Sequence, residues 1–257
     1  KAVMRFGKRF ARLASEMARD EKDEKRKKEL EEIAEICDWV PGNPPRTLHE
    51  AIQCHWFITL AYRILDRQSP GMGDRWDQIL YPFYKRDKEA GRITRLEAQE
   101  LVEYEILKFN EECQLTVPQV GGGGMPLLTV KQTDIGGVDR YGNDATNEMS
   151  YIIMDAIKTM KLGEPSLSVR LHRNTPHKFL SALTDALRVA AGCFSMYSDE
   201  QAIPHLQWLG LSLEDAREWT NEGCMRWGIP GKPMGQRAVV GMLALPKVLE
   251  YTLYQGW

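Results

Sequence analysis

One cysteine, Cys224, lies in a stretch of sequence whose composition is unusual for a core cysteine. Gly223 precedes it, and a stretch rich in glycine and proline, including Pro230-Gly231, follows it. Glycine lets the backbone approach another group closely. A hydrolytic thiol would also need a histidine base nearby in space, which the sequence alone neither supplies nor excludes. Cys224 is therefore a candidate functional cysteine, with a structural cysteine as the alternative.

The other reactive patterns predict less. The four-glycine run at 121–124 is followed by neither the helix nor the Lys-Ser/Thr pair of a phosphate-binding loop, so we expect a flexible turn there. No two histidines have metal-ligand spacing with a third ligand close by, so no metal site is expected. The histidines are His49, His55, His172, His177 and His205.

Composition excludes several classes of partner. The 257 residues are 43% hydrophobic and 27% charged, with a formal net charge of −2, which gives no electrostatic case for nucleic acid or an anionic membrane. No apolar run reaches the roughly 18 residues of a membrane helix, and no signal peptide opens the sequence. The five cysteines are odd in number and form no CxxC pair. A disulfide framework or zinc site is therefore not expected. We expect a location in the reducing cytoplasm.

The elements that must position Cys224 change in character along the chain. Residues 1–112 show apolar residues at helical spacing, interrupted by turns that include a loop at Gln68–Trp76. Along the whole chain, three segments have the form of capping boxes, beginning at Thr47, Thr94 and Ser212. The last of these predicts a helix at Leu213–Trp219, and a final helix is predicted from about Ala238. After Cys113, short apolar runs at 115–117, 127–130 and Leu167–Leu171 predict strands between helices, so the fold class is predicted to be α/β. Both ends look cut, so we expect a piece of a longer protein.

Several segments in fixed order resemble the glycyl radical enzymes of the pyruvate formate-lyase superfamily. The loop 221–225 followed by 229–232 is similar to the family's cysteine loop. The remaining landmarks are the segments Thr47–Gln53 with Trp56-Phe57, Asp74–Gln78 with Tyr81–Tyr84, Gly136-Gly137, Asp144–Glu148 and Pro165–Arg170.

This resemblance implies a fold and a chemistry. The whole chain, 1–257, would be part of a ten-stranded α/β barrel wrapped by helices, with a helical part at 1–112 and a strand-containing part with the cysteine loop at 113–257. Cys224 would carry a thiyl radical. The radical would be made on a glycine near the C terminus of the complete protein, by an activating enzyme that uses S-adenosylmethionine and an iron–sulfur cluster. The family's glycine motif is absent from this sequence, so that domain is expected outside it, and a homodimer is expected.

The prediction of the reaction depends on Arg226. Many members of the family carry a glutamate, which works as a general base, two residues after the cysteine. Arginine in place of this glutamate weakens the assignment of the chain as a diol or hydroxyproline lyase. A guanidinium binds a carboxylate with two hydrogen bonds, so Arg226 and Arg237 are predicted to bind a substrate carboxylate, with Met225, Trp227 and Asp199 as further contacts. Ser198 stands where the family has asparagine before Asp199.

We expect a decarboxylase of an arylacetate such as phenylacetate. The alternatives are a fumarate-adding enzyme similar to benzylsuccinate synthase, in which methionine follows the cysteine as Met225 does here, another glycyl radical lyase, or an inactive relative or assembly subunit. A structural ion pair of either arginine with Glu222 or Asp199 is also open.

Overall fold

The computed structural model describes residues 1–66, 74–111, 132–163, 165–221, 227–232 and 245–254. Helices account for most of these residues. They are α1 (Ala2–Asp20), α2 (Glu24–Trp39), α3 (Leu48–Asp66), α4 (Trp76–Glu89), α5 (Arg95–Glu111), α6 (Glu148–Met160), α7 (His177–Ala190), α8 (Asp199–Trp208), α9 (Leu213–Arg217) and α10 (Leu245–Leu253).

Four strands form one parallel sheet in the order β1-β2-β3-β4: β1 (Asp74–Arg75), β2 (Gln132–Gly136), β3 (Ser166–Leu171) and β4 (Phe194–Ser198). Helices connect them, as parallel neighbours require. A separate antiparallel pair joins β5 (Thr220–Asn221) to β6 (Trp227–Gly228).

The sheet has an outer face packed against helices. Ile135, Leu167 and Val169 are fully buried there with apolar residues of α3 to α7. Burying such side chains contributes about 1.5–3 kcal/mol each, so this layer is the main core of the described residues. The opposite face carries polar side chains and is called the inner face below.

The predicted α/β class is confirmed, and so are most helices. Thr94 and Glu97 form the predicted reciprocal cap, since the Glu97 amide donates to Thr94 Oγ1 and the Thr94 amide donates to Glu97 Oε2. At the first cap, Thr47 Oγ1 accepts from Glu50 as predicted, but the Glu50 carboxylate accepts from the amide and guanidinium of Arg46.

Other details were wrong or missed. The helix predicted at Leu213 to Trp219 ends at Arg217, and Trp76, assigned to a loop, begins α4. Strands β2 and β4 were not predicted. The predicted strands at 115–117 and 127–130, the four-glycine run, and the predicted start of the last helix at Ala238 lie outside the described residues. None of the described helices is long and apolar enough to cross a membrane.

Candidate active site

The cysteine loop is closed by the β5–β6 hairpin. Thr220 pairs with Gly228 and Asn221 pairs with Trp227, so the hairpin encloses the five residues 222–226, of which Cys224 is the third. Cys224 itself, Met225, Arg226 and Arg237 lie outside the described residues. Their predicted roles therefore stay predictions, and the structure bears on them through the hairpin stem.

The first strand of the stem, β5, lies on the inner face of the sheet and is fully buried: Thr220 and Asn221 are both 0% exposed. Arg170, near the end of β3, donates to the carbonyl of Trp219, whereas Asn221 contacts Ser168, two residues earlier on that strand. From Trp219 to Asn221 the chain thus runs from the carboxyl ends of the strands towards their amino ends.

The inner face is polar because side chains alternate along each strand. On β2, Gln132 and Asp134 point inward while Ile135 faces the helices, and on β3 Ser168 and Arg170 point inward. All four inward side chains are at most 3% exposed. The hairpin is therefore seated on hydrogen-bonding groups and not on an apolar core.

Asn221 contacts three strands at once. Its Nδ2 lies 2.9 Å from Gln132 Oε1, 3.1 Å from Ser168 Oγ and 2.8 Å from Tyr197 Oη. Its backbone amide donates to Asp134 Oδ2 at 2.9 Å. Such bonds contribute about 1 kcal/mol each but cost more when a buried partner is left unpaired. Asn221 is thereby fixed relative to β2, β3 and β4 together.

Asp134 is a carboxyl group in an environment that disfavours its charge. Burial raises the pKa of Asp134 well above its ordinary value, against the opposing effects of the Asn221 amide and of Arg170. Its Oδ1, like Oδ1 of Asn221 and Oγ1 of Thr220, has no hydrogen-bond partner among the described residues. Burial therefore favours the neutral, protonated form of Asp134 over the charged form.

Arg170 and Asp199 form a fully buried ion pair beneath the start of the stem. Arg170 Nε and Trp219 Nε1 both donate to Asp199 Oδ1, at 2.9 and 2.8 Å, and Asp199 Oδ2 accepts from the amide of Val138 at 2.8 Å. The remaining Arg170 nitrogens donate to the carbonyls of Trp219 and Arg217. Asp199 is thus engaged by protein donors at both oxygens, which gives it an architectural role. Its predicted contact with substrate stays a prediction.

A glycine pair makes room for Arg170. Gly137 has φ +76°, and a Cβ at this position would lie 2.6 Å from Arg170 Nε. Gly136 also has positive φ, and a Cβ there would lie 2.9 Å from the Arg170 carbonyl. Only glycine satisfies both demands, a backbone conformation that L side chains rarely adopt and a close approach.

Trp227, the other predicted contact that the structure describes, lies in β6 and is half-buried. Its ring packs against Trp219 and His205, each at a centroid distance of 5.6 Å. Its indole Nε1 is buried and has no acceptor among the described residues. A role in contacting substrate stays a prediction.

Metal and disulfide chemistry have no support in this part of the chain. Within the described ranges, no group of three histidine, cysteine, aspartate or glutamate residues could hold a metal ion. Cys37, Cys54 and Cys193 are free thiols.

Comparison with known proteins settles the family. The family model described as "Pyruvate formate lyase-like" matches residues 1–257. The chain belongs to the pyruvate formate lyase-like family. This confirms the resemblance on which the sequence interpretation rests.

Several members of the family are similar to the chain in detail. It is 39% identical to trans-4-hydroxy-L-proline dehydratase of Clostridioides difficile, over all of this chain and 32% of the relative. It is 32% identical to isethionate sulfite-lyase of Nitratidesulfovibrio vulgaris, over 99% of the chain and 31% of the relative. The chain therefore spans about a third of the length of these relatives.

The solved structures agree. The crystal structure of a glycyl radical enzyme from Archaeoglobus fulgidus superposes with a TM-score of 0.81 at 35% identity, covering 90% of this chain and 30% of that one. Hydroxyproline dehydratase from Clostridioides difficile, with its substrate bound, gives a TM-score of 0.81 at 37% identity, covering 98% and 32%. The predicted fold, part of the α/β barrel of glycyl radical enzymes, is confirmed.

The similar proteins catalyse more than one reaction, since they include dehydratases, sulfite-lyases and a decarboxylase. The predicted decarboxylase group is represented by indoleacetate decarboxylase of Tractidigestivibacter scatoligenes, which is 27% identical over 84% of this chain and 25% of its own length. The similarity to a dehydratase is greater, although the sequence had argued against hydroxyproline lyases.

Sequence reasoning missed the seat of the hairpin. Gln132, Asp134, Ser168 and Asn221 are polar, and polar residues in sequence are expected at the surface. The one available signal was the alternation in Leu167–Leu171, where Ser168 and Arg170 occupy the inward positions of a buried strand.

Proposed function

We propose that this chain is the cysteine-loop part of a glycyl radical lyase that acts on a small carboxylate substrate. The term complete enzyme is used below for the chain joined to the segment that carries the radical glycine. The observation that carries the proposal is the hairpin stem, whose first strand is buried on the polar inner face and whose two strands enclose Cys224 in sequence.

The stem supports a radical relay at Cys224 for a physical reason. Moving a hydrogen atom needs no lowered thiol pKa, but it needs close positioning and the exclusion of water and oxygen. The two residues of β5 that lead into the loop, Thr220 and Asn221, are fully buried, which supports the positioning demand. The glycyl radical itself would be installed by an activating enzyme that uses S-adenosylmethionine and an iron–sulfur cluster.

Our proposed substrate is an arylacetate, and the reaction is loss of its carboxylate as carbon dioxide. Arg226 supports this, because it stands where many lyases have a glutamate base and because a guanidinium suits a carboxylate. The match to indoleacetate decarboxylase is the supporting comparison.

A second candidate is dehydration of a hydroxylated carboxylate such as hydroxyproline. The 39% identity to trans-4-hydroxy-L-proline dehydratase favours it, and so does the TM-score of the related structure. Both candidate substrates carry a carboxylate, so the proposed binding of a carboxylate by Arg226 or Arg237 is compatible with either reaction. Removal of a hydroxyl group as water requires an acid to protonate the leaving oxygen, and Arg226 is a poor proton donor because a guanidinium does not give up its proton in proteins.

The experiment is a comparison of substrates on the activated complete enzyme under anaerobic conditions. Phenylacetate, indoleacetate and trans-4-hydroxyproline are supplied separately, and products are identified by mass spectrometry. Formation of toluene or methylindole supports the decarboxylase. Water loss from hydroxyproline alone supports the second candidate instead. Full activation, with a glycyl radical signal, but no turnover of any carboxylate contradicts the proposed substrate class. We further expect a cytoplasmic homodimer, which sedimentation and fractionation would test.

A further inference from the structure

Asn221 makes more contacts to the sheet than a two-residue strand needs for its own pairing. Its two amide hydrogens face three oxygens, one each from β2, β3 and β4, and its backbone amide faces a fourth on β2. These partners are separated from it by 24 to 89 positions in sequence. One residue thereby ties the end of the stem to three neighbouring strands.

We propose that Asn221 is a positioning residue for hydrogen-atom transfer at Cys224, three residues further along the chain. Its amide, held by Gln132, Ser168 and Tyr197, fixes the stem against the inner face. This inference rests on the proposed function, since it concerns the same cysteine.

Burial explains why this arrangement holds one geometry. Asn221 and Ser168 are 0% exposed and Gln132 is 3% exposed, so water cannot substitute for a lost partner without opening the face. A shift of the stem would break several bonds together, and each broken bond would leave a buried polar group unpaired. The position of the stem is therefore set as a unit.

A purely architectural role would affect stability alone, so the test needs a measurement of geometry. In heavy water the Cys224 thiol would carry deuterium. Transfer of that deuterium to the glycyl radical yields glycine bearing one hydrogen and one deuterium, and a thiyl radical. When the thiyl takes back the hydrogen, the glycyl radical has exchanged its α-hydrogen. The electron paramagnetic resonance doublet then collapses at a rate that reports the glycine–thiol geometry without substrate.

The variants are Asn221→Ala and the milder Gln132→Leu, made in the complete enzyme. The control is Ser150→Ala, in helix α6, which packs on the outer face of the sheet. Ser150 is also 0% exposed, and its hydroxyl donates to buried Asp77 Oδ2 at 2.5 Å. We expect Asn221→Ala to slow the exchange by at least about tenfold, because a displacement near 1 Å has effects up to about a hundredfold. Gln132→Leu should slow it less, and Ser150→Ala should leave it unchanged.

Three results would overturn the inference: exchange in Asn221→Ala at the wild-type rate, equal slowing in Ser150→Ala, or, if Asn221→Ala does not fold, a wild-type rate in Gln132→Leu. Failure of the proposed function is distinguishable, because wild type and Cys224→Ser are measured alongside. If those two exchange equally fast, the relay at Cys224 itself is wrong.

Discussion

The backbone amide of Asn221 donates a hydrogen bond to Oδ2 of Asp134 at 2.9 Å, joining residues 87 positions apart in the sequence. Asp134 Oδ1 has no partner in the described part of the chain. The pair links β2 to the last described residue before the cysteine loop. The protonation state of Asp134 is therefore coupled to the stability of the hairpin seat.

Asp134 should make the protein less stable as pH rises. Burial raises its pKa in the folded state above the ordinary value of 3.8, so the folded state holds a proton that the unfolded state has lost. Stability from this group is fully present below pH 3.8 and is lost as pH rises towards the folded pKa. The variant Asp134→Asn has a neutral side chain that still accepts a hydrogen bond, so this pH-dependent loss of stability should be absent from it. The measurement is the difference in thermal midpoint between variant and wild type at several pH values.

The control for this prediction is Asp139→Asn. Burial would raise the pKa of Asp139, but hydrogen bonds from Asn143 and Tyr141 outweigh it and lower the pKa. Its contribution is present above the ordinary pKa and is lost as pH falls through the folded value, the opposite sign. A difference for Asp134→Asn that does not grow with pH would show that Asp134 ionises freely in the folded protein.

Removing one member of the buried Arg170–Asp199 pair should loosen the hairpin seat strongly. Both side chains are at most 2% exposed, so Asp199→Ala leaves a buried guanidinium without its carboxylate, which costs about 3–5 kcal/mol. Hydrogen–deuterium exchange of peptides covering 213–221, read by mass spectrometry, should rise sharply. The double variant Arg170→Met with Asp199→Ala should lose less unfolding free energy than the sum of the losses in the two single variants.

Lys232→Ala is the control for the buried pair. It breaks an ion pair with Asp215 in which Lys232 is 54% exposed, so solvent screening makes the expected change small. If Asp199→Ala exchanges no faster than Lys232→Ala, the buried pair does not support the stem.

At least one of Arg226 and Arg237 should bind the substrate carboxylate. Arg226→Gln or Arg237→Gln should then weaken binding of an arylacetate by roughly 2–4 kcal/mol, as for loss of a desolvated charge-assisted pair. Binding of the matching amide, which carries no charge, should be insensitive to either change. Calorimetric titration of acid and amide into wild type and both variants makes the comparison. Unchanged acid affinity in both variants would leave the carboxylate preference without its main support.

Local signals in the sequence predicted the helices well. The reciprocal cap at Thr94 and Glu97 involves residues three apart, so the sequence contains the whole interaction. The parallel strands depend on partners far along the chain: Asp134 pairs with Ser168, and helix α6 lies between them in the sequence. Strand β2 was missed because Gln132 and Asp134 are polar, and burial of polar groups depends on partners that only the folded chain brings together.

The candidate site divides in the same way. Cys224 was found because its glycine neighbours and the family landmarks lie beside it in sequence. Asn221 was noted only as part of the motif, since its partners on β2, β3 and β4 are between 24 and 89 residues away. Asp199 was predicted as a substrate contact, and the structure shows its carboxylate bound to Arg170, Trp219 and Val138.

The most direct test of the account is turnover by the activated complete enzyme carrying Cys224→Ser. The matched control is Cys54→Ser, because Cys54 is a free, half-buried thiol on α3 and not part of the hairpin. Both changes are nearly isosteric and should alter stability by about 1 kcal/mol or less. Cys224→Ser should still acquire the glycyl radical yet convert no substrate, because a hydroxyl O–H bond is too strong for that radical to break, while Cys54→Ser should turn over normally. Turnover by Cys224→Ser near the wild-type rate would contradict the account, since another residue would then relay the radical.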